Sequence, residues 1–149
     1  MKGRSFFIAG IIQGSISDGV HCQDYRTLVK DILTEHVEGA RVYCPFENHP
    51  DSLNYDDEKA RRVFFDHITM VTESDCLVAF VPQASMGTAV EMYAAREAGR
   101  PVITISPLEN NWTVKFLSDM ILAGMDEFGE FAASGGLAAF VEEFYRRER

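Results

Sequence analysis

The chain has 149 residues, 46% hydrophobic and 25% charged, the size and balance of a single folded globular domain over residues 1–149 rather than of a disordered or fibrous chain. Its formal net charge of -9 excludes nucleic acid and anionic membranes as natural partners, because polyanion binding needs a basic face that displaces counterions; Arg146, Arg147 and Arg149 alternate with Glu142, Glu143 and Glu148 and read as a solvated helix end. Cys22, Cys44 and Cys76 are odd in number and widely spaced, with no CxxC pair, which suits neither a disulfide framework nor a zinc site and makes a cytoplasmic location the default expectation.

The first element is a buried strand, Ser5–Gly10. The apolar run that overlaps it, Phe6–Ile12, is far short of the roughly 20 residues that cross a bilayer, and no small-residue cleavage site follows. Gly10 ends the strand and Gly14 follows, so the loop can turn sharply and leave N–H groups open to a ligand; Gly10, Ile12 and Gln13 are candidate substrate contacts there. The loop is not GxGxxG and carries no P-loop lysine, which excludes the dinucleotide and NTPase readings.

A helix over Cys22–Val37 places Tyr25, Leu28, Val29, Ile32 and Leu33 on one face. Tyr25 is a core tyrosine there, unless its hydroxyl reaches a ligand pocket. Arg41–Pro45 is the second strand, followed by a helix over Asp57–Glu73 with Ala60, Phe64, Ile68 and Val71 on its inner face. Asp75–Val81 is the third strand, opened by Asp75, which suits either a plain helix–strand junction or a substrate contact. A helix over Met86–Gly99 stops at Gly99-Arg100-Pro101, and Pro101–Ile105 is the fourth strand. Helices over Trp112–Ala123 and Gly136–Arg147 complete the pattern, with Met125–Phe131 the candidate for a short fifth strand.

Short, continuous apolar strands alternating with helices specify a single-domain doubly wound α/β fold: a five-stranded parallel sheet with helices on both faces, flavodoxin- or Rossmann-like. In the order 2-1-3-4-5 the topological switch falls between strands one and three, and ligands bind beyond the carboxyl ends of the strands at that point. The two most unusual loops, Ala9–Ser15 and Pro82–Thr88, follow those strands.

The second of these loops carries the chemistry. Ser85 is a good N-cap, and Gly87 lets another molecule approach the backbone closely. Ser85 Oγ and the free N–H groups of the first turn suit a phosphate at the positive end of the helix. Glu91 lies one turn further on the same face, within reach of a sugar held there, where a carboxylate can attack an anomeric carbon. The same spacing also suits a plain capped helix with a solvated Glu91. His21, His36 and His49 have no metal-ligand spacing, and HExxH and GxSxG are absent; neither metal nor cofactor is expected.

Phe7-Ile8-Ala9-Gly10, Tyr25, Ser74–Phe80 and Gln83–Met92 together resemble the nucleoside 2-deoxyribosyltransferase superfamily, and within it the 2'-deoxynucleoside 5'-phosphate N-hydrolases and CMP hydrolases. The resemblance implies that Glu91 is the nucleophile of a covalent glycosyl-enzyme intermediate, that Ser85 and Gly87 bind the phosphate, and that Tyr25 lines the sugar site. It implies further that the loop Tyr43–His49, with Asn48, faces the base, and that Ser118 of the stretch Phe116–Ile121 reaches the phosphate of a neighbouring protomer. Where the hydrolases carry a phosphate-binding arginine, this chain has Gln13. Where the family often carries an aspartate, it has His67, with Asp66 one residue earlier as the candidate acid/base partner.

These features imply a hydrolase of nucleoside or 2'-deoxynucleoside 5'-monophosphates, with a deoxyribosyltransferase and a nucleotide-binding sensor as alternatives. A homodimer or higher homo-oligomer is implied by Ser118, with Phe64, Phe65 and Phe116 available for its contact surface. As a nucleophile Glu91 must be ionised near neutral pH, so helix-start N–H groups or the Tyr25 hydroxyl are expected to hold it charged.

Overall fold

The computed structural model describes residues 3–12 and 22–148. Five strands, β1 (Ser5–Gly10), β2 (Arg41–Tyr43), β3 (Cys76–Phe80), β4 (Val102–Ile105) and β5 (Met120–Leu122), form one sheet in the order β2-β1-β3-β4-β5. Every pairing is parallel, with Phe6 beside Cys76 and Leu77 beside Val102. Seven helices are described: α1 (Asp24–His36), α2 (Pro45–Asn48), α3 (Asp57–Glu73), α4 (Met86–Glu97), α5 (Trp112–Leu117), α6 (Met125–Ala133) and α7 (Gly136–Arg147). A 3-10 turn lies at Ser52–Asn54.

Strand alternation divides the core into two layers. Phe6, Ile8, Cys76, Val78, Ile103 and Ile105 point to the face covered by α1, α6 and α7, while Phe7, Ala9, Leu77, Ala79 and Val102 point to the face covered by α3, α4 and α5. Both faces of the central strands are therefore dry, which is why these strands read as continuous apolar runs.

Four details differ from the sequence reading. The fifth strand is Met120–Leu122, whereas Met125–Phe131 lies within α6. Phe128 and Ala132, one helical turn apart, bury one side of α6 behind an acidic first turn of Asp126 and Glu127, a helical rather than an alternating pattern. The helix begun at Trp112 stops at Leu117 because Ser118 is extended (φ -100, ψ 137), and the chain enters β5. Pro45 starts α2 instead of ending β2, at a first-turn position where its missing N–H costs nothing.

Burial on the helices differs as well. Leu28 sits at the edge of the α1 stripe and is exposed, while Tyr25, Val29 and Leu33 are buried. On α3 only Val71 is fully buried, and Phe64 is exposed. The apolar face of α3 is turned towards a cavity rather than pressed on the sheet, since Ala60, Val63, Phe64 and His67 all line that cavity.

Candidate active site

The cavity holds about 590 Å³ and lies at the carboxyl ends of β1 and β3, between α3 and the start of α4. This is the crevice where the connections leave the sheet to opposite faces. Its volume is in the range of sites that take a small molecule of nucleotide size. Among the expected site residues, Gly10, Ile12, Ser85, Gly87 and Glu91 all line it.

The start of α4 builds the first wall. Ser85 is extended (φ -143, ψ 113), and its Oγ accepts from Thr88 N at 3.4 Å and lies 2.8 Å from Thr88 Oγ1. Thr88 is buried beneath the turn, so the cap is held from below. At Gly87 nothing stands within 4 Å of where a Cβ would point, which leaves the first-turn backbone open on the cavity side. Hydroxyl, free N–H groups and helix dipole together favour an anion there.

Glu91 follows on the second turn. Its Oε2 is buried and has no hydrogen-bond partner, and among the described residues no hydrogen bond reaches the carboxylate. Burial pushes its pKa up to about 8, with the nearby Arg26 charge pulling the other way. The expectation that helix-start N–H groups or Tyr25 hold Glu91 charged is therefore corrected. The first-turn N–H groups lie a turn behind the carboxylate, and Tyr25 Oη donates instead to Ile11 O at 3.1 Å.

Tyr25 is buried, stacked on Phe80 at 4.4 Å, and burial raises its pKa. It lies directly beneath Gly10, where a Cβ would overlap its ring and hydroxyl. Gly10 is thus required by close packing against Tyr25, and the pair sets the path of the backbone into the cavity.

Arg26 is a cavity-lining residue the sequence reading missed. It is 3% exposed and lines the cavity, with Nε donating to Gln23 Oε1 at 2.6 Å, Nη1 to Ile8 O at 3.2 Å and Nη2 to Gly10 O at 2.9 Å. The guanidinium satisfies carbonyls at the end of β1 and keeps a positive charge in the cavity wall. One signal was available: Arg26 is next to Tyr25, on the edge of the apolar stripe of α1 rather than on its solvent face.

A third wall is aromatic. Tyr43 Oη lies 3.1 Å from His67 Nε2, His49 Nδ1 lies 2.9 Å from Tyr55 Oη, and the two imidazole rings are 5.3 Å apart. His67, His49 and Tyr55 line the cavity. Burial, and then the neighbouring His49, lower the His67 pKa to about 4, so this ring is neutral at pH 7.

The remaining candidates lie elsewhere. Asp66 and Asn48 are exposed and outside the cavity lining, and Asn48 Nδ2 donates to Cys44 O at 2.8 Å. Asp75 is at the opposite end of β3, where its Oδ2 accepts from Ser5 N at 2.8 Å and from Ser5 Oγ at 3.0 Å. Ser118 Oγ lies 2.6 Å from Thr104 Oγ1, at the start of β5. Gln13 falls outside the described residues. Among the described residues no helix is long and apolar enough to cross a membrane.

Residues 17–121 match the family model for nucleoside 2-deoxyribosyltransferase. Among solved structures the chain is similar to the 2-deoxyribosyltransferase of Bacillus psychrosaccharolyticus, with a TM-score of 0.64 at 17% identity over 84% of this chain and 90% of that one. It is similar to a conserved protein of Enterococcus faecalis V583, with a TM-score of 0.61 at 20% identity over 89% and 98% of the two chains. It is also similar to the CMP N-glycosidase BcmB of Clostridium botulinum, with a TM-score of 0.51 at 21% identity over 85% and 95%. At these identities the structural likeness speaks for the fold. A search of curated proteins finds no match.

Proposed function

The chain belongs to the nucleoside 2-deoxyribosyltransferase family, enzymes that break N-glycosidic bonds, and from that premise we propose that it hydrolyses nucleoside or 2'-deoxynucleoside 5'-monophosphates to free base and sugar 5-phosphate. One observation carries the reading: a carboxylate oxygen, Glu91 Oε2, is buried without a partner in the wall of a cavity large enough for a nucleotide. Native structures rarely leave a buried oxygen unpaired, and such exceptions concentrate where chemistry is done.

The 5'-phosphate docks on the open first turn of α4, held by Ser85 Oγ and the N–H groups around Gly87. That contact fixes the sugar over Glu91 and removes the entropic cost of bringing the two together. Glu91 attacks the anomeric carbon from one face as the base leaves from the other, and water then opens the glycosyl ester. Handing the glycosyl group to a second base instead of water is the transferase outcome of the same intermediate.

Ser85 favours the phosphorylated substrate, since a nucleoside would leave the start of α4 without an anion. Assembly into a homodimer, with Ser118 serving the partner's site, is supported by apolar side chains exposed along α3, α4 and α5: Phe65, Val90, Tyr93, Trp112 and Phe116.

The test is base release from a panel of nucleosides and 5'-monophosphates, by wild type and by Glu91→Ala. Release confined to the monophosphates and abolished by Glu91→Ala is the expected result. Base exchange on unphosphorylated deoxynucleosides would make it a transferase. Tight nucleotide binding with no turnover would make it a sensor.

A further inference from the structure

We infer that His67 is the hydrogen-bond donor that receives the leaving nucleobase, offering Nδ1–H across the cavity from Glu91 while the Tyr43 hydroxyl occupies its Nε2. The inference rests on the N-glycosidase reading and names the residue that serves the departing half of the substrate.

Three observations converge on this ring. It lines the same cavity as Glu91, so a sugar held over the carboxylate presents its base within the same space. Its Nε2 is taken by Tyr43 Oη at 3.1 Å, and no protein group among the described residues bonds its other nitrogen. Either partner of this pair can donate; in the tautomer we infer, the Tyr43 hydroxyl donates to Nε2 and the single ring proton stands on Nδ1. The ring plane is set by edge contacts with Phe7 at 6.0 Å, Tyr43 at 5.7 Å and His49 at 5.3 Å. A donor held in that way loses little rotamer freedom when it meets the base.

Burial and the His49 ring keep His67 neutral at pH 7, so it serves as a hydrogen-bond donor and gives up no proton. As the bond from the anomeric carbon to the base nitrogen breaks, its electron pair stays on the base, and a Glu91 oxygen forms the new bond to carbon. Negative charge gathers on the base's ring nitrogens and exocyclic oxygens, where the Nδ1–H meets it. Water then opens the ester, and the proton released in that step neutralises the base. Each half of the transition state thus has its own partner, Glu91 for the carbon and His67 for the leaving group, with the donor preorganised where charge develops.

The experiment compares two substrates on each variant: 2'-deoxyguanosine 5'-monophosphate, whose base leaves as an anion, and its 7-methyl derivative, whose base leaves neutral. With His67→Ala, kcat on the first is expected to fall roughly 100-fold, the scale of losing one preorganised donor to developing charge, and on the second by less than about 3-fold. His67→Gln, which restores an N–H donor, is expected to recover part of the loss. Tyr43→Phe, which frees Nε2, is expected to lower kcat on the first substrate with little change in KM. Because both substrates are read on one preparation, the ratio is independent of how much of a variant folds. An equal loss on both substrates, or none on either, overturns the role of His67 while leaving the N-glycosidase reading standing. Failure of the wild type to release base from any monophosphate, with Glu91→Ala no different, overturns both.

Discussion

Glu91 and Arg26 meet the same cavity from helices on opposite faces of the sheet, and no ion pair joins them. The guanidinium bonds Ile8 O and Gly10 O at the end of β1, while Glu91 Oε2 has no partner. Arg26 therefore acts on Glu91 only through its field, which opposes the effect of burial without cancelling it, and the Glu91 pKa stands at about 8. As the proposed nucleophile, Glu91 in that state is mostly protonated at neutral pH, and its ionised form would be poorly solvated and therefore reactive.

The pH dependence of activity follows directly. kcat/KM for a monophosphate is expected to rise about tenfold per pH unit on the acid side and to level off near pH 8, where free Glu91 ionises. Arg26→Met removes the charge that favours the carboxylate, so the break moves to higher pH. A flat profile between pH 5 and 8 would contradict the geometry around Glu91.

Stability responds to pH through the same carboxylate, with the opposite sign to an ordinary ion-paired one. The folded pKa of about 8 exceeds the unfolded value of 4.5, so the fold binds more protons than the unfolded chain between those values and loses stability as pH rises through that window. Glu91→Gln is expected to be more stable than wild type by about 2 kcal/mol or more at pH 8, with the difference vanishing near pH 4. His67 works at the acid side. Its folded pKa is lowered from 6.5 to about 4, so its contribution is complete above pH 6.5 and is lost as pH falls towards 4. Thermal unfolding of wild type, Glu91→Gln and His67→Gln across pH 4 to 8 separates the two.

Much of this arrangement was legible in the sequence, for reasons that differ between elements. Phe6–Ala9 and Cys76–Ala79 alternate between two buried layers, so they read as continuous apolar strands. Ser85, Gly87 and Glu91 could be placed because a cap, an open turn and a helical repeat are all local. Arg26 was not legible, because an arginine on a helix reads as solvent-facing until the carbonyls of Ile8 and Gly10, distant in sequence, are brought against it. The apolar face of α3 read as core because periodicity reports that a face is shielded from water without saying whether a sheet or a ligand space lies opposite. β5 was missed because a strand of three residues, Met120–Leu122, gives almost no periodic signal.

Gly10 and Tyr25 form a packing pair that can be tested by substitution. Gly10→Ala puts a methyl group into the space of the Tyr25 ring and hydroxyl, and overpacking of this kind costs about 1–3 kcal/mol. Tyr25→Phe loses the bond to Ile11 O, worth about 1 kcal/mol, but vacates part of the same space. The double variant is therefore expected to be less destabilised than the sum of the two single variants, as urea unfolding would measure. Strict additivity would mean that the two residues do not compete for one volume.

Ser85 separates the structural role of the cap from recognition of phosphate. Its Oγ accepts from Thr88 N, and losing an N-cap of this kind costs about 1 kcal/mol. Ser85→Ala should show that cost in thermal unfolding, and Ser85→Asp should recover it, because a carboxylate caps a helix as well as a hydroxyl does. The two variants then divide on substrate. Both are expected to raise KM for a monophosphate, Ser85→Asp the more strongly because its charge stands where we propose the phosphate docks. Neither should alter binding of the matching nucleoside, which places nothing at the start of α4. If Ser85→Asp restored stability and left KM for the monophosphate unchanged, the phosphate would have to bind away from this helix start, and the preference for nucleotides over nucleosides would lose its physical basis.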